Sequence, residues 1–321
     1  MSATGGLRLA GIARSYGEHR ALDGVDLAIG AGEVAAVLGP NGAGKSTLVG
    51  VASGALGADA GSVAVGPDGV DPRGGAGANR RLVGVAPQEI GVYPGLTVAE
   101  NLRAFGELTG LAPKAARARA AELAGPLLLD DLLDRRAGVL SGGQQRRLHA
   151  AIALVHRPPV VLLDEPTAGA DPQTRSALLA VVAAVAAEGT AVLYTTHYLP
   201  EVEELGAHVH LLDRGRIIAA GPLDQLVADH GEPTLVVEVA DGAASSLLAE
   251  RWPLAATLDR RTTSIPHPAP ESLIAEVVAD VGEAGDAVTR IEVVRPSLEA
   301  VYLALTGRRD ADELTGEQVP A

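Results

Sequence analysis

No cysteine occurs in the 321 residues, and the chain has only one Phe, one Trp and five Tyr. The first absence excludes disulfides, iron–sulfur clusters and thiolate zinc sites, and fits the cytoplasm. The second means that a core drawn from 47% hydrophobic residues must be built mainly from Ala, Val, Leu and Ile. Long apolar runs are missing too. The longest, ALLAVVAAVAA at 177–187, is bounded by Arg175 and Glu188 and falls short of the ~20 residues that cross a bilayer. The opening MSATGGLRLAG lacks the apolar segment of a signal peptide. Any membrane role is therefore expected to go through a partner. Positive charge is scarce as well: 26 Lys and Arg against 40 Asp and Glu give a net charge of −14. That argues against duplex nucleic acid as the main partner, because phosphate backbones need clustered Lys and Arg.

What is present alternates between strand-like and helix-like patterns. LRLAGIARSYG and ALDGVDLAIG read as strands, and EVAAVLG (33–39) as a buried strand ended by Gly. KSTLVGVASGAL continues as a helix, and residues 89–157 look mainly helical. VVLLD (160–164) and TAVLYTTH (190–197) are further buried strands, and HVHLLDRGRIIAAG (208–221) is a hairpin turning at Arg214-Gly215. After Gly231 the order becomes strand, helix, strand, strand, helix, strand, from PTLVVEV through SSLLAERW, AATLDRR, TTSIPH and ESLIAEVVADV to AVTRIEVV. That is the split βαβ, or ferredoxin-like, order. A last helix, PSLEAVYLALTG, and a charged loose tail follow.

Three stretches carry chemistry. GPNGAGKST matches G-x-x-x-x-G-K-[ST] at Gly39, Gly44, Lys45 and Ser46, between a buried strand and a helix. In such a loop, spanning Gly39, Pro40, Asn41, Gly42, Ala43 and Gly44, backbone N–H groups curl around the β-phosphate and the helix N-terminus adds partial positive charge. Lys45 would reach the β- and γ-phosphates, Ser46 would offer its hydroxyl to Mg²⁺, and Thr47 would bond the α-phosphate. VVLLDE is the second half of such a site. Its strand delivers Asp164 to the sheet end where ligands bind, as a Mg²⁺ ligand, and sets Glu165 beside it to polarise an attacking water. The third stretch, LSGGQ at 140–144, has no place inside a strand or helix, and Lys45 already serves a phosphate loop 96 residues earlier.

In order and spacing, the phosphate loop, Gln88 after a short strand, LSGGQ, VVLLDEPTAGADP and THYLPEVEEL resemble the nucleotide-binding subunit of an ABC transporter, over roughly residues 5–230. The resemblance implies an α/β fold: a P-loop ABC ATPase domain at 1–230 with an antiparallel β subdomain and a helical subdomain at about 89–157. A small α+β ferredoxin-like domain at 231–307 and a flexible tail at 308–321 would follow. It implies that Tyr16 stacks on adenine, that Gln88 ligates Mg²⁺ and water, and that His197 senses the γ-phosphate. Asp171 would lie in the D-loop, here AGADP where SGLDP is more usual. It also explains LSGGQ. Ser141, Gly142, Gly143 and Gln144 would close over ATP held by another subunit, so the active site is shared. ATP and Mg²⁺ are the implied cofactors. The implied partners are a second cassette, identical or related, and a separate transmembrane permease at the cytoplasmic face of the cell membrane, where this chain would be peripheral. The C-terminal RPSLEAVYLALTGR is similar to the extension of drug and antibiotic exporter ATPases. An importer ATPase with a regulatory C-terminal domain, or a soluble ABC ATPase, remains the alternative.

Overall fold

The computed structural model describes residues 5–73, 81–230, 233–252, 254–294 and 301. Two compact units divide between Leu223 and Asp224, ahead of the expected boundary at 230. The PSLEAVYLALTG helix, but for Val301, and the tail at 308–321 lie outside the described residues.

The first unit begins with β1 (Leu7–Tyr16), β2 (His19–Ile29), β3 (Val34–Leu38), α1 (Lys45–Ala52) and β4 (Ala60–Val65). It continues with β5 (Val83–Ala86), α2 (Val98–Leu108), α3 (Pro113–Ala124), α4 (Gly142–Leu154), β6 (Val160–Asp164), α5 (Pro172–Ala187), β7 (Ala191–Thr196), α6 (Leu199–Leu205), β8 (His208–Asp213) and β9 (Arg216–Pro222). Its centre is a six-stranded sheet ordered β5-β6-β7-β3-β8-β9, parallel except for β9, which closes a hairpin with β8. Val34–Leu38 and Val160–Asp164 are near-continuous apolar runs because a parallel sheet is covered on both faces. Each fully buried aliphatic side chain there is worth about 2 kcal/mol.

Two apolar layers flank this sheet. One packs Leu7, Ile12, Val25 and Leu27 of the antiparallel sheet β2-β1-β4 with Leu48 and Val51 of α1 over Val37 and Leu193. The other packs Leu102, Leu127, Leu148 and Val155 of the helical region with Leu178 and Val182 of α5 against Val161, Leu163 and Tyr194. The run 177–187, too short to cross a membrane, is a helix that buries Leu178, Leu179, Val181, Val182, Val185 and Ala186 and leaves Ala180, Ala183, Ala184 and Ala187 exposed. No helix among the described residues is long and apolar enough to span a bilayer.

The second unit takes in most of α7 (Leu223–His230), then β10 (Thr234–Val239), α8 (Ala243–Arg251), β11 (Ala256–Thr257), β12 (Thr262–Pro266), α9 (Ile274–Glu283) and β13 (Val288–Val294). Its antiparallel strands are ordered β11-β12-β10-β13, with α8 and α9 contributing Leu248, Val277 and Val281 to a core over Leu235, Val237 and Ile265. The strand expected across AATLDRR shrinks to two residues. Asp259 accepts from the N–H groups of Arg261 and Thr262 and from the Thr262 hydroxyl, which folds the chain into a turn there.

Candidate active site

The phosphate loop leaves β3 at its C-terminal end and enters α1 at Lys45. Two of its glycines are sterically required. A Cβ on Gly39 would lie 2.2 Å from the Leu212 carbonyl oxygen, and one on Gly44, where φ is +110°, would lie 2.4 Å from that of Ala21. The loop is fastened from below: Gly215 N–H donates to the Ala43 carbonyl at 2.9 Å, and Gly215 in turn accepts from Asp23 N–H at 2.8 Å. The β8–β9 turn, β2 and the loop are therefore one hydrogen-bonded piece.

A cleft of about 360 Å³ opens over this loop, lined by Tyr16, His19, Pro40, Asn41, Gly42, Gly44, Lys45, Ser46, Thr47, Gln88 and Glu165. Gly39 and Ala43 lie beneath it, Ala43 being 3% exposed. Tyr16 and His19 face each other across the β1–β2 turn, and the Arg14 guanidinium lies 5.1 Å from the Tyr16 ring centre. The sequence pointed to Tyr16 but not to His19, which only strand pairing puts there.

Lys45 is 5% exposed. Its Nζ donates to the carbonyls of Gly39 (2.7 Å) and Pro40 (3.2 Å) and lies 3.1 Å from Glu165 Oε1. Glu165 is the hub of the cleft. Its other oxygen is 3.4 Å from Gln88 Nε2, and His197 Nδ1 is 3.6 Å from Oε1, a contact longer than a hydrogen bond. The His197 ring and the Lys45 ammonium hold the Glu165 carboxyl down to about 2, against burial, which would raise it. Glu165 also has φ +47°, an uncommon conformation for a residue with a side chain. Its N–H donates to Thr195 Oγ1 at 3.0 Å, and its carbonyl accepts from Ala168 N–H at 3.1 Å.

Asp164 does not line the cleft. It is 3% exposed, and one of its oxygens accepts from Thr195 Oγ1 at 2.6 Å. Ser46 and Gln88, which line the cleft, and Asp164, next to Glu165 in sequence, all offer oxygen donors, the chemistry a hard divalent cation takes when phosphates complete its shell. No cluster of three or more acidic or histidine side chains that could hold a metal by itself occurs among the described residues.

Ser141, Gly142, Gly143 and Gln144 are absent from this cleft. They form the N-terminus of α4 as a complete capping box: Ser141 Oγ accepts from Gln144 N–H, and Gln144 Oε1 accepts from Ser141 N–H at 2.9 Å. The Gln144 side-chain amide oxygen thus holds the cap. Asp171 is also away from the cleft. Both its oxygens are taken by Thr174 (N–H at 2.9 Å, hydroxyl at 2.8 Å), capping α5, and its Oδ2 lies 3.3 Å from where a Cβ on Gly143 would be. D-loop and signature thus stand together in one chain, apart from that chain's phosphate loop.

Two side chains that no motif announced tie the Gln88 segment to the helices. Asn101, fully buried on α2, accepts from Tyr93 N–H (2.8 Å) and donates to the carbonyls of Tyr93 (3.0 Å) and Thr97 (2.9 Å). His149 on α4 accepts from Gly91 N–H at 3.3 Å. Burial, helped by the nearby Arg146 charge, pushes the His149 imidazole down to about 4, which keeps that acceptor available at neutral pH. Tyr93 itself is 49% exposed and stacks on Phe105 at 5.3 Å.

A phosphate loop between buried strand and helix, facing an acidic strand end across a nucleotide-sized cleft, defines a P-loop ATPase. The ABC transporter family profile matches residues 22–168. The chain is 39% identical, over 92% of its length and 94% of the relative's, to the daunorubicin resistance ATP-binding protein DrrA3 of Streptomyces coeruleorubidus. It is 33% identical to the linearmycin resistance ATP-binding protein LnrL of Bacillus subtilis (strain 168), over 94% of this chain and 98% of that one. The dimeric structure of MJ0796, a bacterial ABC transporter cassette, superposes with a TM-score of 0.61 at 26% identity, covering 67% of this chain and 98% of that one. The chain belongs to the ABC transporter family, as one of its ATP-binding, ATP-hydrolysing proteins.

Proposed function

We propose that this protein is the motor subunit of a membrane exporter, in which two cassettes close over two shared ATP molecules at the cytoplasmic face of the membrane. The observation that carries the reading is the separation of LSGGQ from the phosphate-loop cleft of the same chain. A finished capping box with exposed Ser141 and Gly142 at a helix N-terminus is a site for an anion. Since it lies off its own cleft, the anion is the γ-phosphate of ATP held by a partner cassette.

Within each site, the loop N–H groups and Lys45 bind the phosphates, and Tyr16 takes the adenine. ATP must separate Lys45 from Glu165, which frees the carboxylate. Glu165, held ionised, then orients and deprotonates water, while His197 contacts the γ-phosphate. Ser46, Asp164 and Gln88 would hold Mg²⁺, which when bound offsets phosphate charge. Turnover is positioning and charge stabilisation, as in phosphoryl transfer generally.

Export is supported by the resistance functions in the names of the relatives, since an ATPase can confer resistance by driving a compound out of the cell. The permease is a separate chain, docking on the segment after Gln88 where Tyr93 and Leu96 sit. We read the second unit as ferredoxin-like, which its strand order supports.

The test is complementation. A Ser141→Arg chain keeps its phosphate loop, and a Lys45→Ala chain keeps its signature. Neither alone should dimerise on ATP, whereas the mixture should, through one complete site. Hydrogen bonds to the γ-phosphate are charge-assisted and worth ~1.5–3 kcal/mol each, so removing several shifts dimerisation by a few powers of ten. Cross-linking of Ser141→Arg alone at the parent level would end the shared-site reading.

A further inference from the structure

Glu201 lies on α6, four residues after His197, and its side chain is 1% exposed. A carboxylate so deeply buried is costly unless donors surround it. Here four do. Glu201 Oε1 accepts from Thr167 Oγ1 at 2.5 Å and lies 3.3 Å from Arg175 Nε, while Oε2 accepts from Thr196 Oγ1 at 2.7 Å and Tyr194 OH at 3.0 Å. These groups come from places that are separate in sequence, among them the stretches next to Glu165 and His197. Thr167 is in the turn that follows Glu165, closed by Ala168 N–H to the Glu165 carbonyl and Ala170 N–H to the Thr167 carbonyl. Thr196 precedes His197, and its hydroxyl also accepts from Tyr198 N–H at 2.9 Å, so that one oxygen brackets His197 on both sides. Arg175 is on the helix capped by Asp171 and lies 4.4 Å from the Tyr198 ring centre.

We propose that Glu201 is a positioning residue for ATP hydrolysis: through Thr196 and Thr167 it fixes His197 relative to the turn that carries Glu165. The proposal rests on the assignment of Glu165 and His197 to the reaction. Glu201 touches no part of the nucleotide cleft, so its effect falls on the chemical step and not on ATP affinity. A reacting group moved by 1 Å can cost about 10²-fold.

The experiment measures kcat and the ATP dissociation constant of the full chain for Glu201→Ala, Glu201→Gln, His197→Ala and the Glu201→Ala/His197→Ala double variant. Glu201→Ala is expected to lose about tenfold to a hundredfold in kcat, with ATP affinity unchanged. Glu201→Gln should recover most of that loss, because the hydroxyls of Thr167, Tyr194 and Thr196 can turn to accept from its amide. The double variant should hydrolyse no more slowly than His197→Ala, since a residue acting through His197 has nothing further to lose. If Glu201→Ala does not fold, Thr196→Val breaks the same bracket with an isosteric side chain and should show the same kcat loss. A normal His197→Ala defect beside parent-level Glu201→Ala or Thr196→Val turnover overturns this proposal alone, as do additive losses in the double variant. A parent-level rate in His197→Ala overturns the underlying assignment, and the proposal with it.

Discussion

Replacing Glu165 by Gln should act in opposite directions on the unliganded and the ATP-bound protein. In the cleft Glu165 is 7% exposed, and its Oε1 sits 3.1 Å from Lys45 Nζ. Its carboxyl is lowered from 4.5 to about 2 by His197 and Lys45. At 1.36 kcal/mol per unit, that bounds the stabilisation of the folded chain at about 3 kcal/mol, an upper value because the His197 contact at 3.6 Å is longer than a hydrogen bond. A depressed carboxyl contributes fully above the unfolded value of 4.5, and the contribution is lost as pH falls towards 2. Glu165→Gln should therefore lower unliganded stability at pH 7 by up to about 3 kcal/mol and flatten its decline below pH 4.5. ATP binding, however, no longer has to break the Lys45–Glu165 pair or approach a buried negative charge. The ATP dissociation constant should fall by about one to two powers of ten. Turnover should fall by about 10²–10⁴, the usual worth of a general base. Denaturant melts across pH, nucleotide titration and phosphate release measure the three effects. An unchanged or weaker ATP affinity together with parent-like hydrolysis would refute both the hub role of Glu165 and its assignment as base.

Two further substitutions probe the cleft and its surroundings. Gly39→Ala should abolish ATP binding, because its Cβ would fall 2.2 Å from the Leu212 carbonyl oxygen and the loop must shift off β8; nucleotide titration at parent affinity would show that the loop tolerates the shift. Tyr93→Asp combined with Leu96→Asp should leave ATP binding intact and abolish co-purification with the permease, and unchanged co-purification would remove this surface as the docking site.

Much of this site is legible in the sequence because local chemistry dictates it. A phosphate loop needs Gly, Lys and a hydroxyl in register, and a parallel strand buried on both faces must be an apolar run, so β3, β6 and β7 stand out from their residues alone. The antiparallel strand β4 does not, since AGSVAV is half exposed and weak in β-formers. Asn101, Thr195 and Glu201 are hidden for a different reason. Each matters through partners brought in by the fold, from the loop at 93–97, from the end of β6 and from the turn at 165–170, and a single Asn, Thr or Glu on a strand end or helix carries no sign of such partners. Asp171 shows the converse. Its place in the motif AGADP is legible, but not that both its oxygens accept from Thr174 to cap a helix.

The capping box at Ser141 has a kinetic consequence on the shared-site reading. Its two hydrogen bonds are complete in the lone chain, so no ordering of the signature remains to be done when cassettes meet. Association then resembles the docking of two rigid surfaces, limited by encounter and orientation. The lifetime of the closed dimer is governed by whether the third phosphate is still attached, which makes hydrolysis a timer on an assembly whose geometry was fixed at folding.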